Sequence, residues 1–424
     1  MPSMRRTIIF LWATLPLLLL LSRPGLPQSF EEDAEVLPKG VTRFRVDDRI
    51  YLPTSTRFDQ DGKRENAAAN LNATLNSSVF PNLSLVEAAF RMPAGTANIG
   101  RSVVSYKYDF NTLTLGLDYG LLDKVTIGVR VPIWFVQNSV QAHLDTSRAT
   151  VGKNAFLNTL APLSFSIPGF PTVPLTTRDV QNLLGRGLDI NGDGRIDIRG
   201  FGYQPVRTWR GQGFSDIEAG FRWQYFKNRF VRLAFTGGVR FPTGSLDDPD
   251  NLADYPFGRG AFALLFRLNN DLIYFKNFLW NVTLKYDFYL PDSQLLRVPA
   301  SVDNPLTLNK FRVNRWVGDI IEVETNIRYT FLKCFDVSFL YIYGFKLRDK
   351  VWGSRNISYR ALEDETDYAE HIYRVGLTFS SLPLYQEKKF PVPFTLSVQY
   401  RDRFAGRNNV LATQYIRVLF NVFF

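Results

Sequence analysis

Five residues between positions 189 and 197 have the types and the spacing of a calcium-binding loop. In Asp189-Ile-Asn-Gly-Asp-Gly-Arg-Ile-Asp197, oxygen-bearing side chains recur at alternate positions and Gly194 stands at the sixth. In the EF-hand pattern these positions supply oxygen ligands to calcium, and the seventh supplies a backbone carbonyl. The candidate calcium ligands are therefore Asp189, Asn191, Asp193, the carbonyl of Arg195, and Asp197.

The same loop departs from an EF-hand in two ways. Position twelve, where a bidentate Glu should stand, is Gly200, and the stretch "RGFGYQP" follows in place of an amphipathic helix. These departures exclude a helix-loop-helix calcium sensor. Two interpretations stay open: a weak, structural Ca2+ site completed by another segment or by water, and an ion-free loop built on Asx turns.

Side chains suited to catalysis are scarce. The chain has two histidines, His143 and His371, and a single cysteine, Cys334. Serine hydrolysis needs a histidine and an orienting Asn or Asp, and no G-x-S-x-G motif occurs in the sequence. Asp364 and Asp367 precede His371, but a polar loop before a strand gives the same pattern. We therefore expect no enzyme activity, and the lone cysteine excludes an internal disulfide.

The elements that must position these residues are strands. In "VTIGVRVPI", apolar side chains at every second position from Val125 to Ile133 alternate with Thr126, Gly128 and Arg130. Strict alternation is typical of a strand with one apolar and one polar face. The same pattern predicts eleven strands, at 111–120, 124–140, 214–226, 230–242, 261–275, 278–290, 316–331, 336–348, 367–382, 392–404 and 410–424.

The connections between these strands alternate in length. Short turns such as 121–123 and 227–229 are followed by long loops such as 141–213 and 243–260, and only 405–409 is short where a long loop is due. This alternation is typical of a bacterial outer-membrane barrel. The strands are also longer than the ~5–6 residues usual in a soluble β-sandwich. We therefore predict an all-β fold, a transmembrane antiparallel β-barrel in the bacterial outer membrane.

The eleven strands need a partner, because a single bacterial chain forms a barrel with an even number of strands. Two segments are candidates: "RSVVSYKYDF" at 101–110 and "RFRVDDRIYLP" at 43–53. We predict about twelve strands, with fourteen as the alternative.

Aromatic residues make up 15% of the chain and gather near the predicted strand ends. Such residues form girdles at membrane interfaces, and the predicted members are Tyr119, Trp134, Phe135, Trp223, Tyr225, Trp280, Trp316, Phe331 and Tyr400. The last strand places apolar side chains on one face and ends at Phe424. A terminal strand of this kind is read by the barrel-assembly machinery, so we expect that machinery and outer-membrane lipid as partners.

The N-terminus has the pattern of a secretory signal peptide. Arg5 and Arg6 precede an apolar run from residue 7 to residue 21, which is too short for a spanning helix. We assign residues 1–28 to the signal peptide and 101–424 to the barrel. Residues 29–100 show no clear repeat, and we expect a periplasmic extension, the first strand or a plug in the lumen.

The polar faces of the strands carry an excess of positive charge. The formal net charge is +10, but Lys and Arg are spread singly along the chain, so we expect no nucleic-acid binding. Rings of Arg and Lys in a lumen favour anions. Cross-strand pairing with Glu218, Asp287, Glu322 and Glu324 could instead close the lumen. The predicted pore-lining residues are Arg130, Arg222, Arg240, Arg267, Lys285, Arg328, Arg374 and Arg401.

The loop 141–213 is much longer than ordinary connections, and loops of such length are usually functional or disordered. It is rich in Pro with apolar neighbours, so we expect it to fold over the barrel mouth as a lid. The resulting functional hypothesis is passive passage of a small solute through a basic lumen. The alternative is a non-conducting barrel that displays its loops for binding or adhesion.

Three segments resemble a known family. "GLLDKVTIGVRVPIW", "GFSDIEAGFRWQYF" and "GGVRFPTGSLDD" are similar to motifs of the outer-membrane transporters named for the MetA pathway of phenol degradation. The matching positions are Gly120 to Pro132, Gly213 to Gly220, and Pro242-Thr243-Gly244, and the resemblance covers roughly residues 110–275. It implies a barrel that passes small and in some cases hydrophobic compounds, and it implies no catalytic residue. The 141–213 loop departs from the family pattern.

Overall fold

Twelve antiparallel strands close into one barrel in the computed structural model, which describes residues 33–154, 162–167, 171–275, 277–301 and 306–424. Each strand pairs with its neighbours in sequence, and the last pairs with the first. The predicted fold class and strand count are therefore confirmed. The predicted signal peptide, residues 1–28, lies outside the described residues.

The barrel strands are Thr42–Leu52 (β1), Asn98–Leu122 (β2), Val125–Asp145 (β3), Ile217–Lys227 (β4), Val231–Phe241 (β5), Ala263–Phe275 (β6), Phe278–Tyr289 (β7), Ile320–Phe331 (β8), Phe335–Lys346 (β9), Tyr368–Ser380 (β10), Phe394–Arg407 (β11) and Gln414–Phe423 (β12). Trp209–Phe214 continues β4 along the upper part of β3. No helix in the described ranges is long and apolar enough to cross a membrane.

The strand that completes the barrel is β1, and the other candidate, 101–110, belongs to the 25-residue strand β2. Sequence alternation hides this continuity because the pattern inverts near Asn111. Above it, Tyr106, Tyr108 and Phe110 are buried inside the barrel; below it, apolar residues such as Leu115 face outward and are exposed. The inversion marks where β2 rises out of the membrane, since lipid contact no longer requires an apolar outer face.

The outer face of the barrel is apolar and the inner face is polar. On β4, Phe221 and Trp223 are exposed outward, whereas Arg222 and Gln224 bond to residues 33–35 inside the lumen. A closed barrel with an exposed apolar belt is an outer-membrane protein. One predicted girdle member is wrong: Trp134 points inward and stacks on Tyr255 at 5.9 Å between ring centroids, because β3, like β2, packs against an inward-folded loop at that height.

The long connections form a cap at one end of the barrel, which consists of the described residues within 53–97, 146–208, 290–319 and 347–367, together with 410–411. Its core joins the first two segments, with Leu75, Phe80 and Leu83 packed against Leu183 and Leu188. The helices of this part are Leu83–Ala89 (α1) and Thr177–Leu184 (α2), and α2 begins with a capping box between Thr176 and Asp179.

Short strands complete the cap, at Thr56–Phe58, Arg64–Asn66, Thr74–Asn76, Val151–Lys153, Leu163–Phe165, Gly187–Leu188, Ile198–Arg199, Asp292–Arg297, Lys310–Trp316, Lys350–Trp352 and Val410–Leu411. Ala69–Leu71 and Arg360–Leu362 are single 3-10 turns. The pairing of Val410–Leu411 with Thr56–Phe58 explains the short connection near 405–409, because the N-terminal segment covers the barrel rim there. The opposite end has short turns and one helix, Leu382–Gln386 (α3).

A buried ion pair spans the seam where the barrel closes. Arg417 on β12 donates through Nε and Nη2 to the two oxygens of Asp47 on β1, both at 2.7 Å, and each side chain is 1% exposed. Arg49 also bonds to Asp47 at 2.8 Å. At the seam's lower end, Phe424 is exposed and exchanges backbone hydrogen bonds with Thr42. Recognition of Phe424 by the assembly machinery stays a prediction.

Substituting Asp47 by Ala should destabilise the closed barrel. It leaves Arg417 buried without its carboxylate partner, and it removes the partner of the partly exposed Arg49. Removing one partner of a buried pair costs about 3–5 kcal/mol. Urea unfolding of the refolded barrel in detergent measures the change. Asp109→Ala, at an exposed position of the outer face, is the control and should leave the free energy of unfolding almost unchanged. Equal effects of the two substitutions would contradict a structural role for this pair.

Candidate functional site

All eight predicted pore-lining residues lie on the inner face of the barrel. Four of them, Arg130, Arg240, Arg267 and Lys285, line a lumen cavity of about 790 Å³, called here the chamber. Arg222 and Arg328 lie nearer the short turns, against residues 33–35. Arg374 and Arg401 occupy neighbouring positions of β10 and β11, and Arg401 lies 5.1 Å from the Tyr415 ring centroid.

Carboxylates neutralise much of this positive charge. Arg240 bonds to Glu218 at 2.7 Å and to Asp287 at 2.9 Å, while Lys285 bonds to Glu324 at 2.5 Å. The chamber is lined by eight basic and seven acidic side chains. The basic set is Arg49, Arg130, Arg240, Arg259, Arg267, Lys285, Arg315 and Lys346, and the acidic set is Asp47, Asp216, Glu218, Asp247, Asp287, Glu322 and Asp349. Such pairing fixes the side chains of the wall, so a positive lumen stays a prediction.

Below the chamber, an N-terminal strap of residues 33–41 crosses the lumen at the short-turn end. Asp33 and Ala34 are completely buried. The Ala34 amide donates to both Asp271 oxygens at 3.1 Å, and its carbonyl accepts from Gln224 at 2.7 Å. The Leu37 amide donates to the hydroxyl of Thr126 at 2.7 Å. The strap therefore bonds to strands on several sides of the barrel.

Two acidic side chains of the strap, together with one acidic and three basic side chains of the wall, form a buried ionic cluster. Glu35 pairs with Arg232, and Asp33 lies 3.8 Å from a nitrogen of Arg222 and 3.9 Å from one of Arg328. Asp271 is the third acidic member, and its carboxylate lies 3.2 Å from Nε of Arg232. Because these charges are buried and mutually compensated, they hold the strap in place only as a complete set.

The strap leaves the lumen beside Gly120 of β2. The Gly40 amide donates to the Gly120 carbonyl at 2.8 Å, and the Gly120 amide donates to the Val41 carbonyl at 2.9 Å. A Cβ at position 120 would lie 2.0 Å from the Pro38 carbonyl oxygen. Only glycine therefore permits this approach.

Above the chamber, residues 242–262 fold into the barrel mouth as an inner loop. The Tyr106 hydroxyl donates to the Leu252 carbonyl at 2.7 Å, and the side-chain amide of Asn138 donates to the Ala253 carbonyl at 2.9 Å. Tyr255 packs against Phe110 with ring centroids 5.0 Å apart. The sequence does not mark this loop as functional, because its Asp, Pro and Gly content resembles that of an exposed connection.

The inner loop separates the chamber from a second cavity of about 790 Å³ in the cap. Leu252 lines the cap cavity, whereas Tyr255 and Phe257 line the chamber. The cap cavity has a mixed lining, with apolar side chains such as Leu71, Phe80, Val180, Leu184 and Leu306 beside polar and charged ones. A smaller cavity of about 160 Å³ lies between the chamber and the strap and is lined by Glu35 and Leu37.

Two carboxyl groups of the inner loop have raised pKa values. Burial, together with the neighbouring Asp254 carboxylate, raises the pKa of Asp247 to about 7. Burial also raises the pKa of Asp254. Asp254 in turn accepts from the Asp248 amide at 2.9 Å. The folded inner loop therefore favours the neutral form of Asp247 below about pH 7.

The predicted calcium ligands lie together on the exposed surface of the cap, but their carboxylates bond to the loop's own backbone. Asp189 accepts from the amides of Gly192 and Gly194 at 2.7 and 2.9 Å, and Asp197 accepts from Ile190 at 2.8 Å. No group of three or more His, Cys, Asp or Glu side chains within the described ranges could hold a metal ion. Calcium binding stays a prediction.

The two histidines are not brought into a catalytic arrangement. His371 shares a 2.6 Å hydrogen bond with the Tyr341 hydroxyl and lies beside Tyr343 and Phe404. His143 lines the cap cavity. The absence of enzyme activity stays a prediction.

No protein-family model matches the sequence, and no curated protein matches it. Among solved structures, an outer-membrane channel from Pseudomonas putida F1 is similar, with 12% sequence identity, 94% of this chain and 100% of that chain covered, and a TM-score of 0.51. The β domain of the Bordetella autotransporter BrkA (7% identity, 91% and 100% covered) and a Pseudomonas aeruginosa FadL homologue (10%, 91% and 90%) have TM-scores of 0.36 and 0.32, too low to carry an argument.

The chain is a bacterial outer-membrane β-barrel protein of twelve strands. The predicted resemblance to outer-membrane transporters is confirmed at the level of the fold, because the channel from Pseudomonas putida has the same architecture over nearly the whole chain.

The inner loop should lose stability as the pH rises. The pKa of Asp247 is about 7 in the folded loop, and its ordinary value is 3.8. The free-energy cost of ionising Asp247 in the folded loop therefore grows between these two pH values and is complete above pH 7. Amide hydrogen exchange in residues 247–257, corrected for intrinsic rates, should therefore be faster at pH 8 than at pH 5. Asp247→Asn should abolish the difference, and Asp123→Asn in a periplasmic turn should retain it. Equal protection of the native loop at both pH values would contradict the raised pKa of Asp247.

The Asp189 loop should bind calcium only weakly, with a dissociation constant of ~10⁻⁴ M or weaker, since its carboxylates already accept backbone hydrogen bonds. Calorimetric titration should lose the signal when Asp189 and Asp193 become Ala. Submicromolar binding would mean that other ligands complete the site.

Proposed function

We propose that the protein is an outer-membrane channel for passive passage of small solutes, closed at rest by the inner loop and the N-terminal strap. The observation that carries this proposal is the chamber itself. It lies inside a closed transmembrane barrel, and the segments above and below it are not barrel strands. Segments of this kind can move without breaking the hydrogen-bonded wall.

The proposed route begins in the cap cavity, passes the inner loop at Leu252 and enters the chamber. The chamber and the small lower cavity share Arg130, Glu218 and Arg267 in their walls, and the lower cavity reaches the strap at Glu35 and Leu37. Displacing the strap opens the lumen to the periplasm.

The cap supplies the outer entrance in this proposal. The predicted lid, 141–213, contributes the described residues of 146–208 to the cap, and its Val180 and Leu184 line the cap cavity. The inner loop, which lies deeper, blocks the chamber more directly. The lid is therefore proposed to control entry to the cap cavity, and the inner loop to control entry to the lumen.

Removing the strap should raise conductance. A barrel refolded from residues 38–424 lacks the part of the strap that carries Asp33 and Glu35. Neither these charged side chains nor their backbone then occupy the lower lumen. In planar bilayers its single-channel conductance should exceed that of the barrel with residues 33–424 severalfold. Asp109→Asn at an exposed position of the outer face, within the longer barrel, is the control and should leave conductance unchanged. Absence of conductance in both barrels, with each one folded by circular dichroism, would favour the display of loops for binding or adhesion.

A further inference from the structure

Arg259 is held firmly by its backbone at the top of the chamber. Its amide donates to Asp216 at 3.0 Å, and its carbonyl accepts from the side chains of Arg315 at 2.5 Å and Gln294 at 3.2 Å. The adjoining Gly244 amide donates to the other Asp216 oxygen at 3.0 Å. The position of the Arg259 side chain is therefore set by the inner loop's attachment to the wall.

The Arg259 guanidinium differs from its neighbours because it has no carboxylate partner among the residues that the structure describes. Its side-chain contacts are with tyrosines: Nη2 lies 3.4 Å from the Tyr368 hydroxyl, and the guanidinium carbon lies 5.5 Å from the Tyr289 ring centroid. By contrast, Arg315 bonds to Asp292 at 2.9 Å and Lys346 bonds to Asp349. A partly buried cation without a carboxylate favours an anion at this point of the wall.

The wall near Arg259 also offers apolar surface. The chamber is lined by Trp134, Tyr255 and Phe257 on one side, and by Val317 and Ile320 on another. At about 790 Å³ the chamber is large enough for a small organic molecule. Its lining therefore combines one uncompensated guanidinium with aromatic and aliphatic faces.

We propose that Arg259 binds the carboxylate of a small organic acid whose apolar body lies against the aromatic residues of the chamber. This inference rests on the proposed channel function and names the class of its solute. A neutral solute would leave the guanidinium without a counter-ion, and an inorganic anion would leave the apolar faces in contact with water. A carboxylate suits the fork of guanidinium donors, which two of its oxygens can engage together.

Equilibrium binding of benzoate to the detergent-refolded barrel, residues 33–424, tests this assignment without requiring conductance. Isothermal titration in low salt should show benzoate binding that is about tenfold weaker or undetectable in Arg259→Gln, as expected for loss of a charge-assisted hydrogen bond. Arg210→Gln, at an exposed position of the outer wall, is the matched control and should bind like the native chain. Arg259→Lys should recover part of the affinity.

The other outcomes separate the alternatives. Benzyl alcohol and inorganic phosphate should each bind more weakly than benzoate. If either bound as tightly, or if Arg259→Gln bound benzoate like the native chain, the organic-acid site would be overturned. If benzoate binding depended on Arg259 but the barrel did not conduct, the binding site would be supported and the channel function refuted. Failure of the binding site and failure of the channel function are therefore distinguishable.

Discussion

Hydrocarbon offers no hydrogen bonds, so every backbone amide of a membrane strand must bond to another strand. In this protein the condition is met by the pairing of β12 with β1, over ten registered positions from Arg43–Phe423 to Leu52–Gln414. Closure then gives each strand one face toward lipid and one toward a narrow lumen. The exposed apolar belt and the buried polar interior both follow from it, as does the need to compensate the charges that face inward.

The lumen of a twelve-stranded barrel is intermediate in width. It is wider than that of a small barrel filled by side chains and narrower than that of a large barrel with an open channel. Here the wall residues fill part of the space through ion pairs such as Arg240–Glu218. The remaining space is divided by the strap and the inner loop. Both segments satisfy their polar groups against the wall, through Asp271 below and Asn138 above. A rigid barrel whose lumen holds two segments that are not part of the wall is the physical basis of the proposed channel that is closed at rest.

The sequence predicted the features that repeat and missed those that depend on distant contacts. Strand alternation revealed eleven strands and the inward direction of residues such as Arg130 and Arg240. It could not reveal the strap, whose nine residues have no period and whose partners, such as Asp271, lie more than 200 positions away. The inward turn of Trp134 and the flipped alternation of β2 follow from the inner loop, whose burial no local pattern indicates. Arg259 was missed for the same reason, since it belongs to that loop rather than to a strand.

Closure of the chamber at both ends is most directly tested by the reactivity of a thiol inside it. Thr114, which lines the chamber, would be replaced by Cys in a Cys334→Ser background, and labelling by a charged methanethiosulfonate would be timed in proteoliposomes. Labelling should be much slower than at the exposed cap position Ser84→Cys, and should accelerate from the periplasmic side when residues 33–37 are removed. Equally fast labelling of both positions with the strap in place would contradict a closed chamber.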